Sequence, residues 1–381
     1  MQRRDFLKAT CAGWVLLNTG QVQGSDREKS LTNQNKKIVW IVLRGAMDSL
    51  HAVIPSFDSH LKMHRQSLLA PIEANLLPLE NGYSLHPAFK NLHQWYQQKQ
   101  LLPVVAVASS YRSRSHFDGQ DILETGLSHV EHDNGWLARA TRAINGEGIA
   151  IARSIPISMR GYEQSLTWYP SNLPDAEDEL YRQLTDLYKM HPEFLNKLET
   201  GMQTREALNM QKSKNRNAKF NQLAKSCGQL LASSKNANCA MLDMGGWDTH
   251  NNQANRLNNQ FKQLDQGLNV LKQTLGEQWR DTVVVVATEF GRTVKVNGTA
   301  GTDHGTGSAM FIAGGAIKGG KVLGDWPGLA PNQLYQGRDL SPTSDICSWL
   351  GALLHQHWRL NPAQIAQVFP SVRPQTVQLV V

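Results

Sequence analysis

Three short segments of this chain are apolar almost without interruption: Lys37-Ile-Val-Trp-Ile-Val-Leu43, Leu101-Leu-Pro-Val-Val-Ala-Val-Ala108 and the valines Val283 to Val286. A strand with one wet face alternates apolar and polar residues, whereas a strand covered on both faces does not. Each run is also far shorter than the roughly 20 apolar residues of a membrane-spanning helix. They therefore read as core strands of a sheet lying between two covering layers. Cys239 to Met244 reads as another strand. Isoleucines at 149, 151, 155 and 157 keep a period of two across Gly148 to Ser158 and predict one more.

Helical patterns alternate with these strands. Asn252 to Leu275 carries Leu257, Phe261, Leu264, Leu268 and Leu271 on one stripe. Gly119 to Thr125 reads as a helix ended by Gly126. From Pro174 to about Ser234 charges and amides dominate, with Leu180, Leu184, Leu187, Leu195 and Leu198 at helical spacing. This predicts a helical excursion around 174–235, lying over or beside the sheet. The expected fold is α/β: one domain over 37–381, with a mostly parallel central sheet and helices on both faces.

The 381 residues are 40% hydrophobic, enough for a full core. The net charge of +7 is spread along the chain apart from Lys212-Ser-Lys-Asn-Arg216, which reads as a solvated face. No contiguous basic face for nucleic acid is promised. Beyond Cys11, the cysteines are Cys227, Cys239 and Cys347, without metal-type spacing. Cys227 and Cys239 either bridge or stay as buried thiols.

The N-terminus, Gln2-Arg3-Arg4-Asp-Phe6-Leu7-Lys8, precedes a weakly apolar stretch from Ala9 to Leu17. A basic segment followed by a short apolar one is an export signal, too short to span a bilayer. Its order resembles the twin-arginine signal of bacteria. That resemblance implies a leader over 1–24, a polar linker over 25–36, the twin-arginine translocase as a partner, and a periplasmic or otherwise exported mature protein without a stable membrane span.

The polar residues that follow the strands carry the chemical information. The valine run leads to Glu289, and then Gly301-Thr-Asp303-His304-Gly supplies a glycine-cushioned carboxylate and imidazole. The strand at Cys239 leads to Gly245-Gly-Trp-Asp248-Thr-His250, and the first strand to Asp48. Strand carboxyl ends are where open α/β sheets deliver functional groups. Each residue also has a plain structural role open to it: Glu289 in an ion pair with Arg292, Asp48 and Ser115 as helix caps. Ser115, between Arg114 and His116, sits at an expected helix start, where free N–H groups favour negative charge. Carboxylates mixed with imidazoles suit zinc, manganese or a similar divalent ion.

These segments resemble the bacterial domain-of-unknown-function family numbered 1501, similar in fold to the alkaline phosphatase and sulfatase superfamily. The resemblance rests on Leu43-Arg-Gly-Ala-Met-Asp48, Arg114-Ser115-His116-Phe-Asp118, Gly245-Gly-Trp-Asp248-Thr-His250, Thr288-Glu289-Phe-Gly-Arg292, Gly301-Thr-Asp303-His304-Gly and Gly324-Asp-Trp-Pro-Gly328. It implies that Asp48, Asp248, His250, Glu289, Asp303 and His304 hold one or two metal ions. Ser115 would be the nucleophile, with His116 beside it, and Arg114 or Arg292 would neutralise an anion. Phe290 stands where the superfamily has a histidine, so either His116 compensates or one ion binds. The expected function is metal-dependent hydrolysis of a small anionic phosphate or sulfate ester. The alternative is a non-catalytic periplasmic binding or assembly protein on a hydrolase-like scaffold.

Overall fold

In the computed structural model, residues 35–170, 178–207, 218–234 and 236–381 are described. The leader, most of the linker and the basic run 212–216 lie outside them.

Eight strands form the central sheet: β1 (Lys37–Leu43), β2 (Leu101–Ala108), β3 (Glu147–Ala150), β4 (Ser165–Thr167), β5 (Ala237–Met244), β6 (Thr282–Ala287), β7 (Ser308–Ala313) and β8 (Ser344–Asp345). Their order across the sheet is β8-β2-β7-β6-β1-β5-β3-β4. β1 lies between β5 and β6 and runs parallel to both. Only β7 is reversed, pairing antiparallel with β6 and β2. Mostly parallel, as expected, the sheet has one consequence for function. The segment before β7 reaches the same edge as the segments after β1, β2, β5 and β6.

The apolar runs are explained by the two layers they separate. Ile38, Trp40 and Val42 of β1 and Val283 and Val285 of β6 enter one core, while Val39, Ile41, Leu43, Val284 and Val286 enter the other. Both faces are buried, so the polar residues that these two strands carry, Lys37 and Thr282, stand at their first positions and bond backbone carbonyls. One core is closed by helices α4 (Trp136–Ala143), α9 (Ile346–His357) and α10 (Pro362–Val368), and there Trp40 meets Trp136 edge to face at 5.2 Å. The opposite core is closed by α2 (Lys90–Gln97), α7 (Phe220–Ser233) and α8 (Gln253–Leu275).

Two expectations are refined. The period of two at Ile149 to Ile157 does not make one long strand. β3 ends at Ala150, and Ile157 lies in a 3-10 turn after Pro156, because the chain bends away once Ile151 has donated its N–H to the Met241 carbonyl. The helical excursion is of two kinds. α5 (Asp178–Tyr188) and α6 (Pro192–Ala207) leave Leu180, Leu187 and Phe194 exposed, whereas α7 packs Leu223, Cys227 and Leu231 into the core and belongs to the sheet's cover.

Cys227, Cys239 and Cys347 are free and buried, and burial pushes the Cys239 thiol up to about 12. Among the described residues no helix is long and apolar enough to cross a membrane.

Candidate metal centre

β1 ends at Leu43 and turns through Gly45, whose φ of +118° is a left-handed-side conformation that favours glycine. A Cβ there would stand 2.6 Å from the Asp248 nitrogen, so glycine lets the loop after β1 lie directly on the loop after β5. Helix α3 (His116–Thr125) starts one residue after Ser115 and ends at Gly126, with φ +66°. These loops and the segment before β7 bring together His116, Asp248, His250 and His304.

The three imidazoles meet through their Nε2 atoms. His304 Nε2 lies 3.0 Å from both His116 Nε2 and His250 Nε2. Asp248 closes the group: its Oδ1 is 2.9 Å from His250 Nε2 and 3.3 Å from His304 Nε2, and its Oδ2 is 3.6 Å from His116 Nε2. Ligand atoms about 2.1 Å from a tetrahedral zinc lie about 3.4 Å from each other. The observed separations fit that geometry, and His116, Asp248 and His304 form a group able to hold a metal ion.

The opposite ring nitrogens fix the tautomers. Nδ1 of His116 lies 2.7 Å from Glu289 Oε1, Nδ1 of His250 lies 3.0 Å from Asp303 Oδ1, and Nδ1 of His304 lies 3.0 Å from the Arg114 carbonyl. A carboxylate or carbonyl oxygen can only accept, so each Nδ1 carries the proton. In the neutral rings all three Nε2 lone pairs then face one another and Asp248, an arrangement that a cation satisfies and another hydrogen bond does not. Acceptors behind the ligating histidines are the usual second layer of a metal site.

Charge is distributed accordingly. Burial works to raise the Glu289 carboxyl, but hydrogen bonds led by His116 and Gln120 hold it below its ordinary value. Burial also opposes ionisation of Asp248, and the hydrogen bond and charge of Arg292 bring it down on balance. The His116 imidazole is raised, chiefly by its hydrogen bond to Glu289, while burial lowers His304. Of these two neighbours, His304 is the easier to deprotonate.

The other expected site residues have definite settings. Asp48 is buried and already partnered: its Oδ2 accepts from Arg65 Nη1 at 2.7 Å and from Gln253 Nε2 at 2.5 Å. Glu289 and Asp303 stand behind histidines rather than beside Asp248. Arg292, fully buried, donates to Asp248 Oδ1 at 2.7 Å, not to Glu289. The Arg114 guanidinium pairs with the buried Asp339 at 2.8 Å, and its backbone at φ +62° serves His304. Both arginines expected to clamp an anion are thus committed to carboxylates. Ser115 caps α3 without a side-chain capping bond. Phe290 stacks on His116 at 5.0 Å.

Three participants escaped the sequence reading. Gln120 lies one helical turn beyond His116 and donates to Glu289 Oε1 at 3.0 Å, so its i,i+4 spacing was a usable signal. Asp339 accepts from Arg114, Thr306 and Arg338. Arg65 reaches Asp48 from helix α1 (Ser59–Leu69). Neither of the last two has any local signature.

No curated protein matches the sequence. Among solved structures, human ectonucleotide pyrophosphatase/phosphodiesterase 5 is 11% identical, with 68% of this chain and 57% of that chain covered, at a TM-score of 0.34. A Vibrio parahaemolyticus protein in the alkaline phosphatase superfamily is 10% identical, with 84% and 66% covered, at 0.37. The C-terminal periplasmic domain of EptC from Escherichia coli, solved in complex with zinc, is 9% identical, with 73% and 72% covered, at 0.35. The chain spans little more than half the length of the human structure. A family model described as "Protein of unknown function (DUF1501)" matches residues 111–369, a span that contains His116, Asp248, His250, Glu289 and His304. That span is more than half of the sequence, and the chain is therefore a member of the DUF1501 family.

Proposed function

We propose that this protein is a metal-dependent hydrolase of phosphate or sulfate esters. The observation that carries the reading is the convergence of three Nε2 atoms beside Asp248, each ring held by an acceptor at Nδ1. His116, Asp248 and His304 would hold the ion, with His250 adjoining. Imidazole-rich donors of this kind suit zinc, with manganese the alternative. A bound divalent ion supplies Lewis acidity, drawing charge from a phosphoryl or sulfuryl oxygen.

The chain's own residues would do the rest. Glu289 and Asp303 orient His116 and His250, and Arg292 holds Asp248 ionised. Ser115 stands at the start of α3, where the helix N-terminus favours a developing negative charge, and is the proposed nucleophile. Asp48 and Glu289 are the carboxylates proposed for a second ion, although Asp48 would first have to leave Arg65 and Glu289 Oε1 its three donors.

Metal analysis of the purified protein tests the reading. Zinc or manganese should copurify, be lost in His304→Ala, and raise the melting temperature when restored. Protein without metal and without a thermal response to either ion would defeat the proposal. Turnover of aryl phosphate or sulfate that survives Ser115→Ala would remove Ser115 from the nucleophile's role. Metal binding without turnover of any ester would leave the binding-protein alternative.

We also propose export by the twin-arginine route, on the strength of the Arg3-Arg4 leader. A tagged protein should fractionate with the periplasm, and R3K/R4K should retain it in the cytoplasm.

A further inference from the structure

A cavity of about 730 Å³ lies along the same sheet edge as the metal centre. Its volume falls within the roughly 300–1,000 Å³ of small-molecule sites. The elements that build the metal centre also build this cavity. α3 contributes His116 from its first turn to the centre, and Asp121 and Glu124 from later turns to the cavity. Gly245, at the end of β5, lines the cavity three residues before Asp248.

A chain of hydrogen bonds joins the two. Arg44, in the cavity wall, donates to Gln120 Oε1 at 2.8 Å; Gln120 donates to Glu289 at 3.0 Å; and Glu289 holds the His116 ring.

The lining restricts the ligand. Four cations, Arg44, Arg153, Arg160 and Lys219, are met by three carboxylates, Asp121, Glu124 and Asp243. Arg44 already bonds Glu124 at 2.7 Å and Asp243 at 3.2 Å. A polyanion would face those carboxylates, so the near-balance of charge disfavours nucleic acid or polyphosphate. A purely apolar ligand would strip water from polar groups without replacing their hydrogen bonds, at about 1–3 kcal/mol each.

Hydroxyl groups, which both donate and accept, match such a wall. Arg160 gives Nε and Nη1 to the Ile155 and His132 carbonyls and Gln260 gives Nε2 to the Gly245 carbonyl, which leaves Arg160 Nη2, Gln260 Oε1 and the Asp243 carboxylate to address neighbouring hydroxyls. Tyr169 also lines the cavity, with the Arg153 guanidinium over one ring face at 5.0 Å from the ring centre, so any aromatic contact for the ligand falls to the rest of the ring.

We propose that this cavity binds a saccharide, and that the saccharide is the alcohol half of the ester. The second part rests on the hydrolase reading, whereas binding itself does not.

The test uses the full chain, stripped of metal with a chelator and then with zinc restored, on a printed array of neutral and sulfated glycans. A defined set of glycans should be retained in both states. Asp243→Ala and Gln263→Ala, one half-buried and one exposed lining residue, should each weaken retention about tenfold, the equivalent of one polar contact. His304→Ala should leave the retention of neutral glycans unchanged, and melting curves confirm that each variant is folded. No retained glycan, or retention indifferent to both cavity variants, overturns the proposal. Retention that persists when metal binding has been disproved would uphold the cavity and discard only the ester reading.

Discussion

Nδ1 of His116 lies 2.7 Å from Oε1 of the fully buried Glu289, so the carboxylate that the sequence offered as a metal ligand is hydrogen-bonded to an imidazole of the candidate centre. The same Oε1 also accepts from the Gly45 nitrogen at 2.8 Å and from Gln120. Three donors on one oxygen leave it little capacity to approach Asp248 and its neighbours.

Glu289→Gln should therefore lower zinc affinity about 10- to 100-fold, the usual effect of losing a charged partner behind a ligating histidine. Competition against a chelating dye measures it. Unchanged affinity would show that Glu289 does not orient His116.

Phe290 lies under two of the imidazoles, 5.0 Å from His116 and 5.4 Å from His304, and is almost fully buried. Phe290→Ala should cost about 3–5 kcal/mol in urea unfolding. It should also weaken zinc binding, because His116 loses the surface that sets its ring plane. A loss of stability with zinc affinity intact would confine Phe290 to the core.

Asp48 and Arg65 form a buried ion pair, each 1% exposed or less. Burial works against the Asp48 charge, and the Arg65 guanidinium still holds its carboxyl below the ordinary value. Arg65→Met should cost about 3–5 kcal/mol by leaving that carboxylate unpaired. Adding Asp48→Leu should recover much of the loss. Chemical denaturation of the single and double variants decides, and no recovery would mean that Arg65 acts mainly through the Val294 and Thr293 carbonyls it also binds.

His357 provides a pH signature away from the site. Burial, then the charge of Lys36, brings its imidazole down to about 4 from 6.5. Between these values the unfolded chain binds the extra proton, so stability is full above about pH 6.5 and falls as pH drops towards 4. The expected loss is on the order of 3 kcal/mol. His357→Gln, which can still donate to the Lys37 carbonyl, should flatten urea midpoints over this window. An unchanged slope would assign the acid sensitivity to other groups.

The buried strands were readable because burial on both faces forces apolar residues at consecutive positions, a local rule that Lys37–Leu43 and Val283–Val286 obey. The α8 stripe was readable for the same reason, at helical period. Ile149 to Ile157 misled because a period of two also arises in a bent segment that packs alternate residues. Asp248, His250 and His304 were located by their place beside strand ends and glycines. His116 was set beside the nucleophile and offered as the residue that compensates for Phe290, but only the fold turns its Nε2 to His304 and its Nδ1 to Glu289.

What the sequence alone determined is the layered α/β core and the edge at which its chemistry gathers, because both follow from patterns within a few residues. Which atoms meet at that edge was decided by tertiary structure. The reversal of β7 carries His304 to the carboxyl ends of its parallel neighbours, and Arg65, Asp339 and Gln120 choose which carboxylates and carbonyls serve as partners. Hydrogen bonds such as that from Gly45 to Glu289, 244 positions apart, leave no trace in local spacing, since their geometry exists only once the sheet has closed.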